Sequence, residues 1–322
     1  MEYLAKKGAE LFVYGFNIPV IRIPRHIQKK NNMKKLLLVV TAAALTFAVA
    51  CKKKTTGDNG GGTKAPTSYT SKALLEYYTG AWCGYCPDGR VYAENLTKQY
   101  GADKFYYVTF HYGDNMQNQD GMDIMGSFGV SAYPTGMVNR LGGAPINRGS
   151  WGGKVAVALD EPAKCGLSID ATTHTGLDYK VKVKLGIAGA DLPSATYKMN
   201  VFLVKKSNIG VGSVDGQINY YYGTSGHPYY QKGTLISGKT YSRIDPYDHP
   251  HVFLDALTPA LGSTIVADNV KAGALSEYTY DVSITNGAAD EYFILAFVGV
   301  GGVSPQILNV QKVEFDAAQA FD

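Results

Sequence analysis

Little in this chain favours a metal centre, a nucleic-acid surface or a transmembrane span. It holds four cysteines and six histidines in 322 residues. Only Cys83 and Cys86 form a C-x-x-C pair. No second such pair and no H-x3-5-H spacing accompanies them, so the ligand set of a structural zinc is incomplete. His249-Pro250-His251 offers two imidazoles without a third ligand, and neither a metal nor another cofactor is expected. Basic charge is also short. The whole chain is formally +4, yet the first fifty residues carry eight Lys/Arg against two Asp/Glu, a share of +6 that leaves −2 from Cys51 onward. Without a basic excess, nucleic-acid binding has no footing. The apolar run at residues 36–50 is too short to cross a bilayer comfortably.

What that run does supply is an export signal. Met33-Lys34-Lys35 is the basic start, residues 36–50 the apolar core, and Ala48-Val49-Ala50 the small residues before a cut. Because such signals stand at the N-terminus, Met33 is the expected true start and residues 1–32 a misassigned extension; the alternative is a genuine long basic leader. Cys51 follows at once. Ala-Val-Ala-Cys resembles a bacterial lipobox, which implies that Cys51 is lipidated and tethers the chain to a membrane, at about 0.8 kcal/mol per buried methylene. Residues 52–68 are Lys, Gly, Thr and Asn with almost nothing apolar, so residues 51–69 are expected to be a flexible tether.

The chain is organised around Trp82-Cys83-Gly84-Tyr85-Cys86-Pro87. Residues 73–78 before it form an apolar run that predicts a buried strand. Residues 88–100 after it place Tyr92, Leu96 and Tyr100 on one face of a helix. Cysteines three apart at such a junction share one side of the first turn and are close enough to bridge. Unpaired N–H groups and the positive end of the helix dipole would stabilise a thiolate on Cys83, making it the attacking sulfur, with Cys86 deeper and resolving. Pro87 fits, since a first-turn residue needs no intrahelical N–H bond. A strand before and a helix after the pair is the setting of a thioredoxin-like redox motif.

Gly101 caps the helix, and residues 104–110 predict a second strand, hence a parallel βαβ crossover. The polar loop 111–121 falls at the strand's C-terminal end, where ligands of open α/β sheets gather. A short helix at 122–128 leads to Tyr133-Pro134-Thr135, which resembles the cis-proline element of the thioredoxin superfamily. That likeness implies that Pro134 lies beside the sulfurs, with Tyr133, Trp82, Gly84 and Tyr85 as substrate contacts; the alternative is an ordinary strand-entry proline. A hairpin of 137–140 with 144–148 and a last helix at 150–163, capped by Ser150 with Val155, Ala158 and Leu159 inward, complete a thioredoxin-like domain over residues 70–163. Such proteins carry a buried acid six positions before the first cysteine. Here that position is Tyr77, and Glu76 stands one residue back, on the other strand face. Glu76 is the candidate proton carrier if the turn at Thr79-Gly80-Ala81 lengthens the register. Otherwise it is an exposed strand acid or another residue's partner. The Cys-Gly-Tyr-Cys spelling is similar to that of periplasmic disulfide isomerases.

From Cys165 on the pattern changes to period two. Leu177, Tyr179, Val181, Val183, Leu185 and Ile187 alternate with Asp178, Lys180, Lys182 and Lys184. Similar runs recur at 167–169, 197–204, 278–284, 292–298 and 307–315, which predicts an all-β immunoglobulin-like sandwich over residues 164–322. Residues 207–251 are loop-like, rich in Gly and Tyr; tyrosines there either make a binding surface or pack the loops onto the sheet. Cys165, left over, reads as a small buried hydrophobe.

Leu75-Glu76-Tyr77-Tyr78-Thr79-Gly80-x-Trp82-Cys83-x-x-Cys86-Pro87, His111-x-Gly113-Asp114 and a following β domain together resemble the outer membrane protein 28-related lipoproteins of Bacteroidetes. The resemblance implies an outer-membrane lipoprotein with a thioredoxin-like domain. Cys-Lys-Lys-Lys lacks the acidic residues of a surface-export signal, so the periplasmic face is expected. Two functions follow as expectations. One is a thiol–disulfide oxidoreductase or isomerase acting on protein thiols or disulfides in the periplasm. The other is an adhesin or binding lipoprotein that uses the thioredoxin-like part as a scaffold and the Tyr-rich loops as its surface.

Overall fold

The computed structural model describes residues 64–302 and 305–322. The export signal, the lipobox Cys51 and most of the expected tether lie outside the described residues.

β1 (Ala73–Thr79) is buried along its whole length, as a continuous apolar run requires when both faces of a strand are covered. It leads through the C-x-x-C turn into α1 (Cys86–Tyr100), which Gly101 ends with φ +89° and its N–H on the Thr97 carbonyl. β2 (Phe105–His111) then lies parallel to β1, from Ala73 opposite Phe105 to Thr79 opposite His111. α2 (Gln119–Ser127) starts three residues earlier than expected, because the Asn118 side chain caps it by accepting the Gly121 N–H. β3 (Thr135–Val138) returns antiparallel beside β1, with β4 (Ile146–Asn147) at its outer edge. α3 (Trp151–Asp160) closes this half, ending before the expected 163. Its inward side chains are Trp151, Val155 and Ala158; Leu159 is partly buried, and Ser150 stands at the N-cap without a side-chain bond. The buried face of α1 includes Gly89, Ala93 and Leu96, and Tyr100 packs partly buried beside them; of the expected Tyr92–Leu96–Tyr100 stripe only Tyr92, 40% exposed, turns outward.

All six expected strands of the second half form: β5 (Cys165–Thr175), β6 (Asp178–Ile187), β7 (Tyr197–Gly210) and, further on, β13 (Leu275–Ser283), β14 (Tyr292–Val300) and β15 (Ile307–Glu314). Between them lie β8 (Gln217–Asn219), β9 (Thr234–Leu235), β10 (Ser242–Ile244), β11 (Tyr247–Ala256) and β12 (Ser263–Thr264), and β16 (Ala318–Gln319) follows β15. β13, β6, β5 and β16 make a four-stranded antiparallel sheet, and β8, β10 and β9 a small sheet of their own.

The strands do not divide at residue 163. One nine-stranded mixed sheet runs β15-β14-β7-β11-β2-β1-β3-β4, with β12 on β7. β11 is the strand that joins the halves. It pairs antiparallel with β7 and meets β2 at a single ladder position, Val252 opposite Thr109. Pro250 has no N–H to offer, and at the seam the single Thr109 hydroxyl proton is shared between the carbonyls of Pro250 (2.8 Å) and His251 (3.1 Å). The sandwich expectation therefore holds in coarse form only. The four-stranded sheet packs Val181, Val183 and Leu185 on Met199, Val201, Ile294 and Ala296 of the large sheet, rather than on a separate partner. The opposite face of the large sheet carries Phe202, Phe253 and Phe297, continuous with Leu74, Val108 and Phe110 of the first half. A third cluster sets Leu75, Tyr77 and Tyr107 under α1 and α3 around the fully buried Trp151.

Candidate active site

Cys83 and Cys86 form a disulfide, with Cα atoms 5.4 Å apart. Cys86 is the first residue of α1 and Pro87 the second, while Cys83 stands on the turn before the helix, its N–H on Gly80 O and its carbonyl accepting from Cys86 N. Both residues are buried, at 4% and 2% exposure, so Cys83 is less open than an attacking sulfur was expected to be. A segment that the sequence places far away is bonded to the same turn. Residues 217–220 lie across the turn, Ile218 N–H donating to Ala81 O (2.8 Å) and Tyr220 N–H to Gly84 O (3.0 Å). The Gln217 amide donates to the carbonyls of Ala81 (3.1 Å) and Cys83 (2.9 Å). Gly84 has room for this: a Cβ there would clash with the Tyr220 ring.

Tyr133-Pro134 is a cis peptide, as the resemblance implied. It brings the Tyr133 ring edge-on to Trp82 (centroids 5.6 Å) and stacks it on Tyr112 (5.5 Å). Trp82 is 47% exposed and donates its indole N–H to Tyr112 O at 2.6 Å; Tyr85, 53% exposed, stands edge-on to Tyr220. Of the expected substrate contacts, Trp82, Tyr85 and Tyr133 thus present aromatic surface around the disulfide, and Gly84 lies beneath Tyr220.

Glu76 is not under the cysteines. The short turn keeps the register, so Tyr77 takes that face and donates its hydroxyl to Cys86 O at 2.7 Å. Burial pushes the Tyr77 phenol far above its ordinary range, which keeps it protonated. Glu76 points to the other face, fully buried, and accepts two bonds from Arg140 (2.8 and 2.7 Å), whose guanidinium also lies over Phe128 and Phe297. The expected proton carrier is the partner of another residue.

Sequence reasoning missed a second buried pair of polar side chains, on the Tyr77 side. His111 follows Tyr107 and Thr109 by strand alternation, and its Nδ1 meets Asp114 at 2.8 Å, with 1% and 0% side-chain exposure. Asp114 also accepts the N–H groups of Ala81 (2.8 Å) and Met116 (3.0 Å), which tethers the C-x-x-C turn to the end of β2. Burial alone would raise its carboxyl; His111 and these N–H groups hold it below the usual range. The His111-x-Gly113-Asp114 spacing was the available signal. His249 faces His111 (ring centroids 5.0 Å) and contacts Asp215 O, while His251 contacts Tyr107 O. Among the described residues no three metal-ligating side chains cluster. Cys165 is fully buried, and burial pushes its thiol up to about 12.

The family described as outer membrane protein Omp28 matches residues 122–319, a span that begins after the cysteine pair. The solved structure of HBP35 of Porphyromonas gingivalis is similar in fold, with a TM-score of 0.59 at 18% identity, covering 78% of this chain and 77% of that one. No curated protein sequence matches the chain.

Proposed function

Because the chain belongs to the outer membrane protein Omp28 family, we propose that it is an exported, lipid-anchored protein of the outer membrane that exchanges disulfides through Cys83 and Cys86. The family's name supports the location. The lipobox resemblance supports anchoring at Cys51, and the Lys-rich sequence after it supports the periplasmic face. One observation carries the chemistry: a C-x-x-C disulfide between a buried strand and a helix start, with Tyr133-Pro134 leading into the strand paired with β1, an arrangement similar to that of a thioredoxin-like fold.

In the oxidised state a substrate thiolate attacks the Cys83 sulfur. The Cys83–Cys86 bond breaks and Cys86 leaves as a thiolate. A second substrate thiolate then attacks the substrate sulfur of the mixed disulfide and expels the Cys83 thiolate. The substrate loses two electrons as its disulfide forms, and the protein gains them as two thiols. Run backwards, the same steps reduce or reshuffle a substrate disulfide. Tyr133-Pro134 would present backbone beside the sulfurs, Tyr77 occupies the place of a relay acid, and the antiparallel sheets would orient the substrate.

The test is a Cys86→Ser variant recovered from cells under acid thiol trapping. Mixed disulfides on Cys83 that reproduce between preparations are expected. The burial of both cysteines, with residues 217–220 bonded to the turn that holds them, favours the second reading, a binding lipoprotein with a structural disulfide. A wild-type pair that stays oxidised, with no trapped partner in the variant, would establish that reading instead.

A further inference from the structure

We infer that residues 217–221 are a detachable, strand-shaped cover seated in the groove where an extended polypeptide docks on the Cys83–Cys86 turn. The substrate that displaces it has an aromatic side chain next to its cysteine. The substrate assignment rests on the oxidoreductase reading; the cover does not.

The segment binds the turn as a peptide would. Alternate main-chain N–H groups, from Ile218 and Tyr220, enter the carbonyls of Ala81 and Gly84, and the Gln217 amide takes the Cys83 carbonyl. Main-chain bonds at every second residue, with a side-chain pocket between them, are how an added strand is recognised. The pocket is the space over Gly84, and Tyr220 fills it against Tyr85. Any extended chain able to place N–H groups and a ring in those positions competes for the same acceptors.

The cover is also built to come off. Among the described residues, none between 212 and 246 belongs to the apolar clusters that hold the rest together. Its own interior is polar: the Asn219 amide donates to Tyr229 O, Lys232 O and the Ser242 hydroxyl. Its fastening to α1 is polar too. Asp88 holds both Arg148 and His227 (3.1 Å), and Tyr221 stacks on His227 (3.9 Å) while accepting from Arg148 at 3.0 Å. Elements with few buried apolar contacts open at a fraction of the global unfolding free energy. When the segment lifts, it uncovers Cys83 between the exposed rings of Trp82 and Tyr85.

The experiment follows reduction of the disulfide in the full chain by excess dithiothreitol, quenched with acid and counted by alkylation mass shift. The double variant Gln217→Ala/Tyr220→Ala is expected to be reduced at least tenfold faster than the unsubstituted chain. Tyr230→Ala, an exposed ring elsewhere between residues 212 and 246, is expected to match the unsubstituted chain. Equal rates in all three folded proteins overturn the cover. Amide exchange on the unsubstituted chain decides the matter independently of any variant. Ile218 and Tyr220 should exchange much faster than the β1 amides, and exchange only on global unfolding contradicts a detachable segment. For the substrate class, a reduced two-cysteine peptide with tyrosine beside one cysteine should be oxidised faster than its alanine counterpart, and equal rates overturn that assignment. Fast reduction of the double variant without any trapped partner in cells would keep the cover and remove the oxidoreductase.

Discussion

A tyrosine occupies the place under the cysteines where a thioredoxin-like protein keeps an acid, and the acid has moved to the opposite face. Glu76 and Arg140 lie in an apolar setting and are held there as a two-bond pair. Arg140→Ala strands the Glu76 carboxylate and is expected to cost about 3–5 kcal/mol in urea unfolding; a loss under 1 kcal/mol would mean that water reaches the carboxylate. Glu76→Gln speaks to chemistry instead. In the reduced chain it should leave the pH profile of Cys83 alkylation where it was, because the carboxylate lies on the other side of β1. A shifted profile would restore Glu76 as the proton carrier.

Among the elements, β11 decides both topology and acid response. Burial holds His249 and His251 down to about 4, from an ordinary value of 6.5, so both are neutral in the fold. Between pH 6.5 and about 4 the unfolded chain therefore binds protons that the folded chain refuses, and stability falls as pH falls. Asp114 adds a later loss: its depressed carboxyl stabilises the fold above the ordinary carboxylate range, and that contribution goes as pH drops through its lowered pKa. The urea midpoint should decline steadily from pH 7 to pH 5, and His249→Gln should remove about half of that decline. A flat midpoint over this range would contradict buried neutral histidines.

β11 was also the least legible element in the sequence. β1, β6 and β14 announce themselves by an apolar run or strict alternation. Tyr247 to Ala256 contains Pro250, two histidines and a left-handed His251 (φ +51°), each an argument against a strand. It forms because β7 pairs with it from Tyr247 to Ala256, with the Thr109 side chain of β2 adding a bond on its other edge. The cysteine pair, the cis proline and the six long strands of the second half could be read locally. Gln217 and Tyr220 could not, since only the fold brings them more than a hundred residues back to Cys83. The Tyr77 register was readable, and it correctly counted against Glu76.

For the molecule as a whole, the continuous sheet means that the half bearing the cysteine pair is not expected to stand alone. Leu74, Tyr78, Val108 and Phe110 face Phe202, Phe253 and Phe297 across the seam. A fragment of residues 64–163 would bare that surface and is expected to bind a hydrophobic dye and unfold without cooperativity. A sharp thermal transition in that fragment would show that the seam is dispensable.

The central claim, an exchangeable pair at Cys83 and Cys86, is tested most directly by equilibrating the full chain in glutathione buffers of graded ratio and counting its thiols. An exchanging pair passes from dithiol to disulfide within that range, at a potential above about −300 mV. A pair that stays bonded in every buffer is structural, and the oxidoreductase account fails with it.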